Sequence, residues 1–340
     1  MAGAATAPGT RTVRGRLLLA AARLLVALPE APLIAAAESL GEAWYRIAPG
    51  RAAQARANLR RVCEGLEAQG RGTRLARRAA TDPEALELLV RRCFRHAVRY
   101  YLEVARTGGI DPAEALRRMD VETPEVLRDD VQAGRALVLV GMHFGAIEMP
   151  IAVVAHLSGH RVTSPMETLD DPGLREWFAT SRGRLGVDLV PLRNVRRALV
   201  DALHRGDSIG LVSDRDLTGS GMPVPLFGHP APISPAPAML ALQTGAPVYI
   251  AAARRIGAGR YAGKLIRVPF PETGTRRDRV VALTTGIAAA FETVLADAPE
   301  QWWGAFHPIW PDLVVAGEGG PADERGPADD RDEAEEAGAV

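Results

Sequence analysis

The sequence predicts an α/β fold: a central sheet of mostly parallel or mixed strands flanked by helices, behind a helical N-terminal portion. Three observations predict it. Short β-rich runs at 136–142, 186–191, 208–213, 247–253 and 264–268 alternate with helical segments, the pattern of strands joined by packed helices. Upstream of them, 17–37 and 81–109 read as helix only. Finally, 340 residues at 47% hydrophobic composition can bury a substantial core.

Taken in order, the chain begins with an N-terminal arm and an apolar helix within 1–45. "LLLAAARLLVALPEAPLIAAA", residues 17–37, is broken by Arg23, Pro29, Glu30 and Pro32, so a clean membrane span of roughly 20 apolar residues is not expected. Arg11, Arg14 and Arg16 before it and Ala35 to Ala37 within it also fit a secretory signal. Arg23 inside the run, with Arg51, Arg56, Arg60 and Arg61 soon after, favours a monotopic amphipathic anchor; an ordinary core helix is the plainer alternative. From 46 to 315 a single domain is expected. Its clearest helix starts at Thr81, where T-x-x-E with Glu84 reads as a capping box, and stops at Gly108 and Gly109. Along it Leu86, Leu89, Val90, Phe94, Ala97, Val98, Tyr101 and Leu102 recur at helical spacing as a core face. Further on, "GMPVPLFGHPAPISPAP", rich in Pro and Gly, reads as an irregular loop over either an acyl groove or a core. Residues 316–340 carry nine acidic residues against two Arg and no large apolar residue before Val340, so a disordered acidic tail is expected.

The formal charge of zero conceals that tail. Without it the body holds 39 basic and 32 acidic residues, a balance suited to anionic substrates or anionic lipid. All basic residues but Lys264 are Arg. Cys63 and Cys93 show no C-x-x-C spacing, so reduced thiols and no structural zinc are expected.

The chemistry gathers at "LVLVGMHFGAIEMP", residues 137–150. An apolar strand ends at His143, and Glu148 follows as the next helix begins. Ligands of open α/β sheets bind at the carboxyl ends of strands, where a neutral imidazole can take a proton from an alcohol. Glu148 can then orient that imidazole, as the carboxylate of a triad does. A buried His bonded only to backbone fits the same spacing.

H-x-x-x-x-[D/E] at a strand end resembles the signature of the glycerolipid acyltransferase superfamily. More of the chain is similar to one branch of it, the bacterial late acyltransferases of lipid A and their actinobacterial relatives that acylate phosphatidylinositol mannosides. "RAAQARANLRRV", "FRHAVRYYLE", "DVQAGRALVLVGMHFGAIE", "METLDDPGLREWFATSRGRLGVDLVPL", the stretch from "LVSDRDLTG" to "LQTGAPV" and "PEQWWGAFHPIW" resemble that branch in the same order, over about residues 45–313. The resemblance implies a glycerolipid acyltransferase-like fold and fatty acyl transfer from a thioester to a lipid hydroxyl. His143 would be the base, Glu148 its orienter, and Asp214 a second acidic residue beside it, where the branch pattern has Glu. Arg182 would bind acceptor or stabilise oxyanion charge. Glu167 would accept a sugar hydroxyl bond, and Arg215 would bind substrate or pair with Asp216 to hold the loop. The donor implied is acyl-CoA, or an acyl carrier protein thioester, as co-substrate with no other cofactor. The acceptor is a glycolipid, foremost a phosphatidylinositol mannoside, or a phospholipid, met at the cytoplasmic face of the cell membrane. No metal and no nucleic-acid partner are expected.

Rival chemistries lack their residues. His156 and His160 stand four apart without H-E-x-x-H, Ser158 and Gly159 mark a helix end there, and no G-x-S-x-G elbow occurs. A non-catalytic lipid-binding relative remains, although it would have no need of His143, Glu148 and Asp214 together. His229 and His307 have no partner identifiable in sequence.

Overall fold

The computed structural model describes residues 13–122, 125–166, 171–216 and 219–315. Five helices lead: α1 (Val13–Ala27), α2 (Glu30–Ile47), α3 (Pro49–Ala68), α4 (Arg74–Ala79) and α5 (Pro83–Arg106). Then α6 (Pro112–Arg118), β1 (Met119–Glu122) and α7 (Glu125–Gln132) precede β2 (Val138–Gly141), α8 (Glu148–Ser158), β3 (Val162–Met166), α9 (Pro172–Arg184), β4 (Val187–Pro191), α10 (Val195–His204) and β5 (Ser208–Val212). A hairpin of β6 (Met222–Leu226) and β7 (His229–Ile233), α11 (Ala236–Thr244), β8 (Val248–Gly257), β9 (Arg260–Val268) and α12 (Arg276–Asp297) complete the regular elements. Short 3₁₀ turns follow between Pro299 and Leu313. Glu167, Leu217, Thr218 and the acidic segment 316–340 lie outside the described residues.

The α/β expectation holds. Seven strands form one sheet in the order β1-β9-β8-β2-β5-β3-β4, parallel except where β8 and β9 run antiparallel. After β2 the chain enters α8, which packs with α6 and α7 on one face. Beyond β5 it passes through the hairpin to α11, which packs with α10 and α12 in the main core on the other face. Neighbouring parallel strands β2 and β5 thus send their chains to opposite faces, which opens a crevice at their carboxyl ends.

The main core is apolar and aromatic. Phe94 is fully buried and meets the rings of Trp44, Tyr45 and Phe306 at 5.0, 5.7 and 4.6 Å. Burying such a side chain contributes about 1.5–3 kcal/mol, and each well-oriented ring pair adds about 0.5–1.5 kcal/mol.

Several local expectations change. The apolar run 17–37 is not one helix; Pro29, at φ −58° and ψ 140°, divides α1 from α2, since a proline supplies no amide to continue the ladder. On α1, Leu19 and Ala22 are buried while Leu17 and Leu24 are 66% and 60% exposed. The cap of α5 is Asp82 rather than Thr81: its Oδ1 accepts from the amides of Glu84 (2.9 Å) and Ala85 (3.3 Å), with Pro83 fixing the first turn. Near the end of α5 the buried face turns to Arg99 and Tyr100, leaving Tyr101 58% exposed. The Pro-rich stretch is not an irregular loop. It is the antiparallel β6–β7 hairpin, turning at Phe227 (φ 49°) and Gly228 (φ 76°), the two positive values that a tight two-residue hairpin requires. Val224, Leu226, Ala231 and Ile233 enter the core, while Pro223 pairs with Pro232 and Pro225 with Pro230 on the outer side.

Candidate active site

His143 lies two residues beyond β2, in a loop pinned from several directions. Gly145, at φ 55°, brings the backbone so near β8 that a Cβ there would stand 1.9 Å from the Ala253 carbonyl oxygen, so only glycine fits. The Gly145 amide donates to the Gln301 carbonyl (3.0 Å), and its own carbonyl accepts from buried Arg255 (2.8 Å). Arg255 in turn is held by Glu103 of α5 at 2.7 Å.

Asp214 lies two residues beyond β5, the strand next to β2, and the two loops meet. Asp214 Oδ1 stands 2.7 Å from His143 Nδ1, while Oδ2 accepts from the His143 amide (3.0 Å) and from Trp302 Nε1 (2.8 Å). Burial alone would raise this carboxyl, which is 2% exposed; the His143 imidazole, Trp302 and the His143 amide outweigh burial and hold it below the ordinary carboxylate range. A carboxylate so placed can accept a proton from Nδ1, the tautomer that makes Nε2 the acceptor of a neutral imidazole. The Asp side chain, shorter than the expected Glu, reaches because adjacent strands deliver both loops.

Glu148 does not orient His143, contrary to the sequence expectation. As the first residue of α8, it accepts from Arg182 Nη2 of α9 (3.0 Å) and from the Tyr100 hydroxyl of α5 (3.3 Å). Its position one helical turn and more past His143 gives it to those two neighbours. Burial, followed by the Glu148 carboxylate, pushes the Tyr100 phenol well above its usual range, so it stays a donor. Arg182 also lies over the Phe178 ring at 5.1 Å. Arg215, partly buried, is outside the pocket wall, and Asp216 accepts the Gly221 amide (2.8 Å). Glu167 lies outside the described residues.

A wall that sequence reasoning left without a role comes from 299–306. Trp303 stacks on Tyr100 (4.4 Å between centroids) and meets the His143 ring edge-on (4.6 Å), while Trp302 donates to Asp214. Gly304 donates its amide to the His143 carbonyl (3.2 Å), and a Cβ on it would stand 2.6 Å from Asp214 Oδ2. Buried Asn58 of α3 clamps this strap by donating to the carbonyls of Ala305 (2.9 Å) and His307 (2.7 Å). Gln54 does the same for Leu313 (3.0 Å). Both residues lie in "RAAQARANLRRV", a stretch that carried a resemblance but no assigned role.

Tyr100, His143, Glu148, Arg182 and Trp303 form the polar mouth of a cavity of about 310 Å³, which continues between α8 and the sheet past Ile147, Ile151, Val187, Leu189 and Leu192. Other clefts lie between α1 and α9 and over β1, β9 and α12, but neither reaches His143. Among the described residues, no group of three or more His, Cys, Asp and Glu is placed to hold a metal. Gly159 ends α8, so His156 and His160 share no helix face. The site thus joins an imidazole with a carboxylate behind it and a charged pair to an apolar hollow.

Comparison with known proteins decides the family. The model of the bacterial lipid A biosynthesis acyltransferase family matches residues 10–311. The chain belongs to that family. It is therefore an acyltransferase of lipid biosynthesis. Similar relatives are the phosphatidylinositol mannoside acyltransferase of Mycolicibacterium smegmatis, 29% identical over 231 residues (67% of this chain and 73% of that one), and its namesake in Mycobacterium tuberculosis strain H37Rv, 28% identical over 218 residues (62% and 67%). Within the family fold, one helix among the described residues, α12, is long and apolar enough to cross a membrane; half of that stretch is buried in the protein.

Proposed function

We propose that this acyltransferase moves a fatty acyl chain from acyl-CoA to a hydroxyl of a glycolipid, a phosphatidylinositol mannoside foremost, at the cytoplasmic face of the membrane. His143 Nε2 takes the proton of the acceptor hydroxyl as its oxygen attacks the thioester carbonyl carbon. The tetrahedral intermediate collapses with loss of the C–S bond, and the imidazolium returns the proton to the leaving thiolate. No covalent enzyme intermediate is needed. Asp214 orients His143 and stabilises the imidazolium, while Arg182, paired with Glu148 at the mouth, faces the developing oxyanion or the acceptor headgroup. The acyl chain occupies the apolar hollow.

The observation that carries this reading is the buried contact of Asp214 with His143 Nδ1 at 2.7 Å, which leaves the other ring nitrogen as a base beside an apolar cavity. The relatives named for mannoside acylation support the acceptor. Exposed Leu17, Leu18 and Leu24 on α1, with Arg16 and Arg23 exposed among them, support a peripheral seat in the lipid interface. The test is transfer from labelled palmitoyl-CoA into a total lipid extract, wild type beside His143→Ala, with products identified by mass spectrometry. A mannosylated inositol lipid labelled only by the wild type is expected. Labelling of a different lipid would discard the acceptor, and label transfer undiminished in the variant would discard the base.

A further inference from the structure

Helix α1 is pinned at both ends and stands off from α9 between the pins. At one end Gly15 lies so near the cap of α9 that a Cβ there would stand 2.3 Å from Asp171 Oδ2. At the other, Arg106 donates to the Leu25 and Leu28 carbonyls, and a Cβ on Gly109 would stand 2.6 Å from Val26 Cγ1. The gap between is a cleft of about 380 Å³, within the range of small-ligand sites and separate from the cavity at His143. Leu19, Ala22 and Val26 of α1 make one wall apolar, and Trp177 and Ser181 of α9 stand opposite.

Ser181 is 4% exposed, yet its hydroxyl has no hydrogen-bond partner among the described residues, and neither has Trp177 Nε1. A buried hydroxyl inside a helix ordinarily bonds to the carbonyl one turn back, as Thr284 does with Val280; Ser181 keeps its donor for the cleft. The two donors meet at Gly108, where a Cβ would stand 3.3 Å from Ser181 Oγ and 3.9 Å from Trp177 Nε1. Arg23, exposed on the α1 side, has no ion-pair partner among the described residues, and Arg184 donates to the Gly108 carbonyl (2.9 Å). Glu176, the one carboxylate of the wall, has a contact of its own. Two neutral donors and two guanidinium groups set against one carboxylate suit phosphate oxygens. Trp177, Ser181 and Arg184 recur at i, i+4 and i+7 on the cleft side of α9, whereas Arg182, over Phe178, turns to Glu148 on the other.

We propose that the cleft between α1 and α9 binds the phosphodiester of an anionic membrane phospholipid, with Ser181 Oγ, Trp177 Nε1 and Arg23 as its donors. The inference goes beyond the proposed function but rests on its seat for α1: a helix whose Leu17, Leu18 and Leu24 lie in lipid carries the cleft beneath it at headgroup level. Two sources present that phosphodiester. One is the acceptor lipid itself, whose sugar then passes round α9 to His143; the other is a separate lipid of the membrane that braces α1. Ser181 and Trp177 carry no charge, so removing their donors leaves the general attraction of a basic surface for anionic lipid intact. It deletes two hydrogen bonds to a charged group, which together weaken binding at least tenfold.

The experiment measures flotation of the full chain with phosphatidylcholine vesicles, plain or one-fifth phosphatidylinositol, with circular dichroism as the folding check. Wild type is set beside the double variant Trp177→Phe, Ser181→Ala and the single variants Arg23→Gln and Arg16→Gln. Arg16 is exposed on the same helix but outside the cleft, so its loss reports general attraction alone, about fivefold. The double variant and Arg23→Gln are each expected to bind the phosphatidylinositol vesicles at least tenfold more weakly, and water-soluble glycerophosphoinositol is expected to compete with them for wild type. A folded double variant that binds as wild type does overturns the inference. If the double variant fails to fold, Arg23→Gln decides: a loss no greater than that of Arg16→Gln overturns the inference as well. The source is read from transfer to a phosphatidylinositol mannoside in neutral detergent micelles free of other phospholipid. A raised KM for the mannoside in the double variant assigns the cleft to the acceptor, and an unchanged KM assigns it to a separate lipid. Wild-type protein that transfers to no mannoside would overturn the proposed acceptor while the vesicle comparison still decides the cleft.

Discussion

Replacing Asp214 by Asn tests the core of the site with almost no change of shape. Three donors converge on the two carboxylate oxygens: His143 Nδ1 on Oδ1, and the His143 amide and Trp302 Nε1 on Oδ2. An amide offers one oxygen and one NH₂. Turned so that its oxygen serves the two donors on the Oδ2 side, it presents NH₂ to Nδ1, which must then accept, and the ring proton moves to Nε2. The imidazole is then the wrong tautomer for a base. The imidazolium formed during transfer also loses its anion; two unit charges about 4 Å apart at an effective dielectric near 20 interact by about 4 kcal/mol, a factor of about 10³ in rate. The expected result is a fall in kcat of about 10³-fold or more with KM for acyl-CoA little changed, because Asp214 sits behind His143 rather than in the cavity wall. The assay is steady-state transfer to the lipid acceptor, with melting temperature and near-ultraviolet dichroism as controls. A folded Asp214→Asn enzyme within tenfold of wild-type kcat would refute the assignment of Asp214 as the group that holds the base.

Other consequences follow from the same contacts. Gly304→Ala places a methyl 2.6 Å from Asp214 Oδ2 and 2.7 Å from Trp302 Nε1, so kcat is expected to fall at least tenfold while chain-length preference stays fixed; unchanged kcat would mean the strap does not position Asp214. Cys63 and Cys93 are fully buried, and burial, with the Glu300 and Glu64 carboxylates behind it, pushes the Cys63 thiol up to about 12. Burial pushes Cys93 up as well, so native protein should resist a disulfide reagent at pH 8 until denaturant exposes both thiols. Burial and the cations Arg255, Arg99, Arg92 and Arg95 hold the His96 imidazole well below its usual range. Its depressed folded value means the unfolded chain takes up the proton first as pH falls, so His96 costs stability below about pH 6.5, at up to about 1.4 kcal/mol per pH unit. Urea midpoints between pH 7.5 and 5.5 should fall less steeply in His96→Gln than in wild type, and equal slopes would remove His96 from the account.

Much of this was legible because it depends on local pattern. Alternation of apolar runs and helices placed β2, β4, β5, β8 and β9, and the abrupt end of an apolar strand placed His143 at a carboxyl edge. β1 and β3 went unseen: "MDVE" is half acidic, and "VTSPM" mixes Thr, Ser and Pro into a strand whose burial is supplied by its neighbours. The β6–β7 hairpin was hidden by prolines that normally argue against strands, yet here sit on the outward side. Tyr100 and Tyr101 share one helix, and only the fold tells which of them reaches Glu148. Asp214 beside His143 came from the resemblance, but Glu148's partner was beyond spacing altogether, since five residues along a chain do not say whether an acid turns to the histidine before it or to an arginine 34 residues later.

The geometry also explains why the resemblance extends so far upstream of the histidine. α3 contributes nothing to the cavity wall, yet its Asn58 holds the Ala305 and His307 carbonyls at the end of the strap that carries Trp302 and Trp303, and Gln54 holds Leu313 beyond it. Cys93 of α5 adds a contact to the Trp302 carbonyl at 3.2 Å, and Glu103 holds the arginine that ties down Gly145. The His143 imidazole is therefore positioned from the sheet by its own strand, from the next strand by Asp214, and from the N-terminal helices through the strap. An error at any of the three displaces the same imidazole. An effective general base must be held within hydrogen-bond reach of the hydroxyl it serves, and a loop of a few residues cannot provide that alone. The N-terminal helices thus help to place the His143 imidazole, apart from any seat in the membrane, and Asn58 does so without lining the cavity.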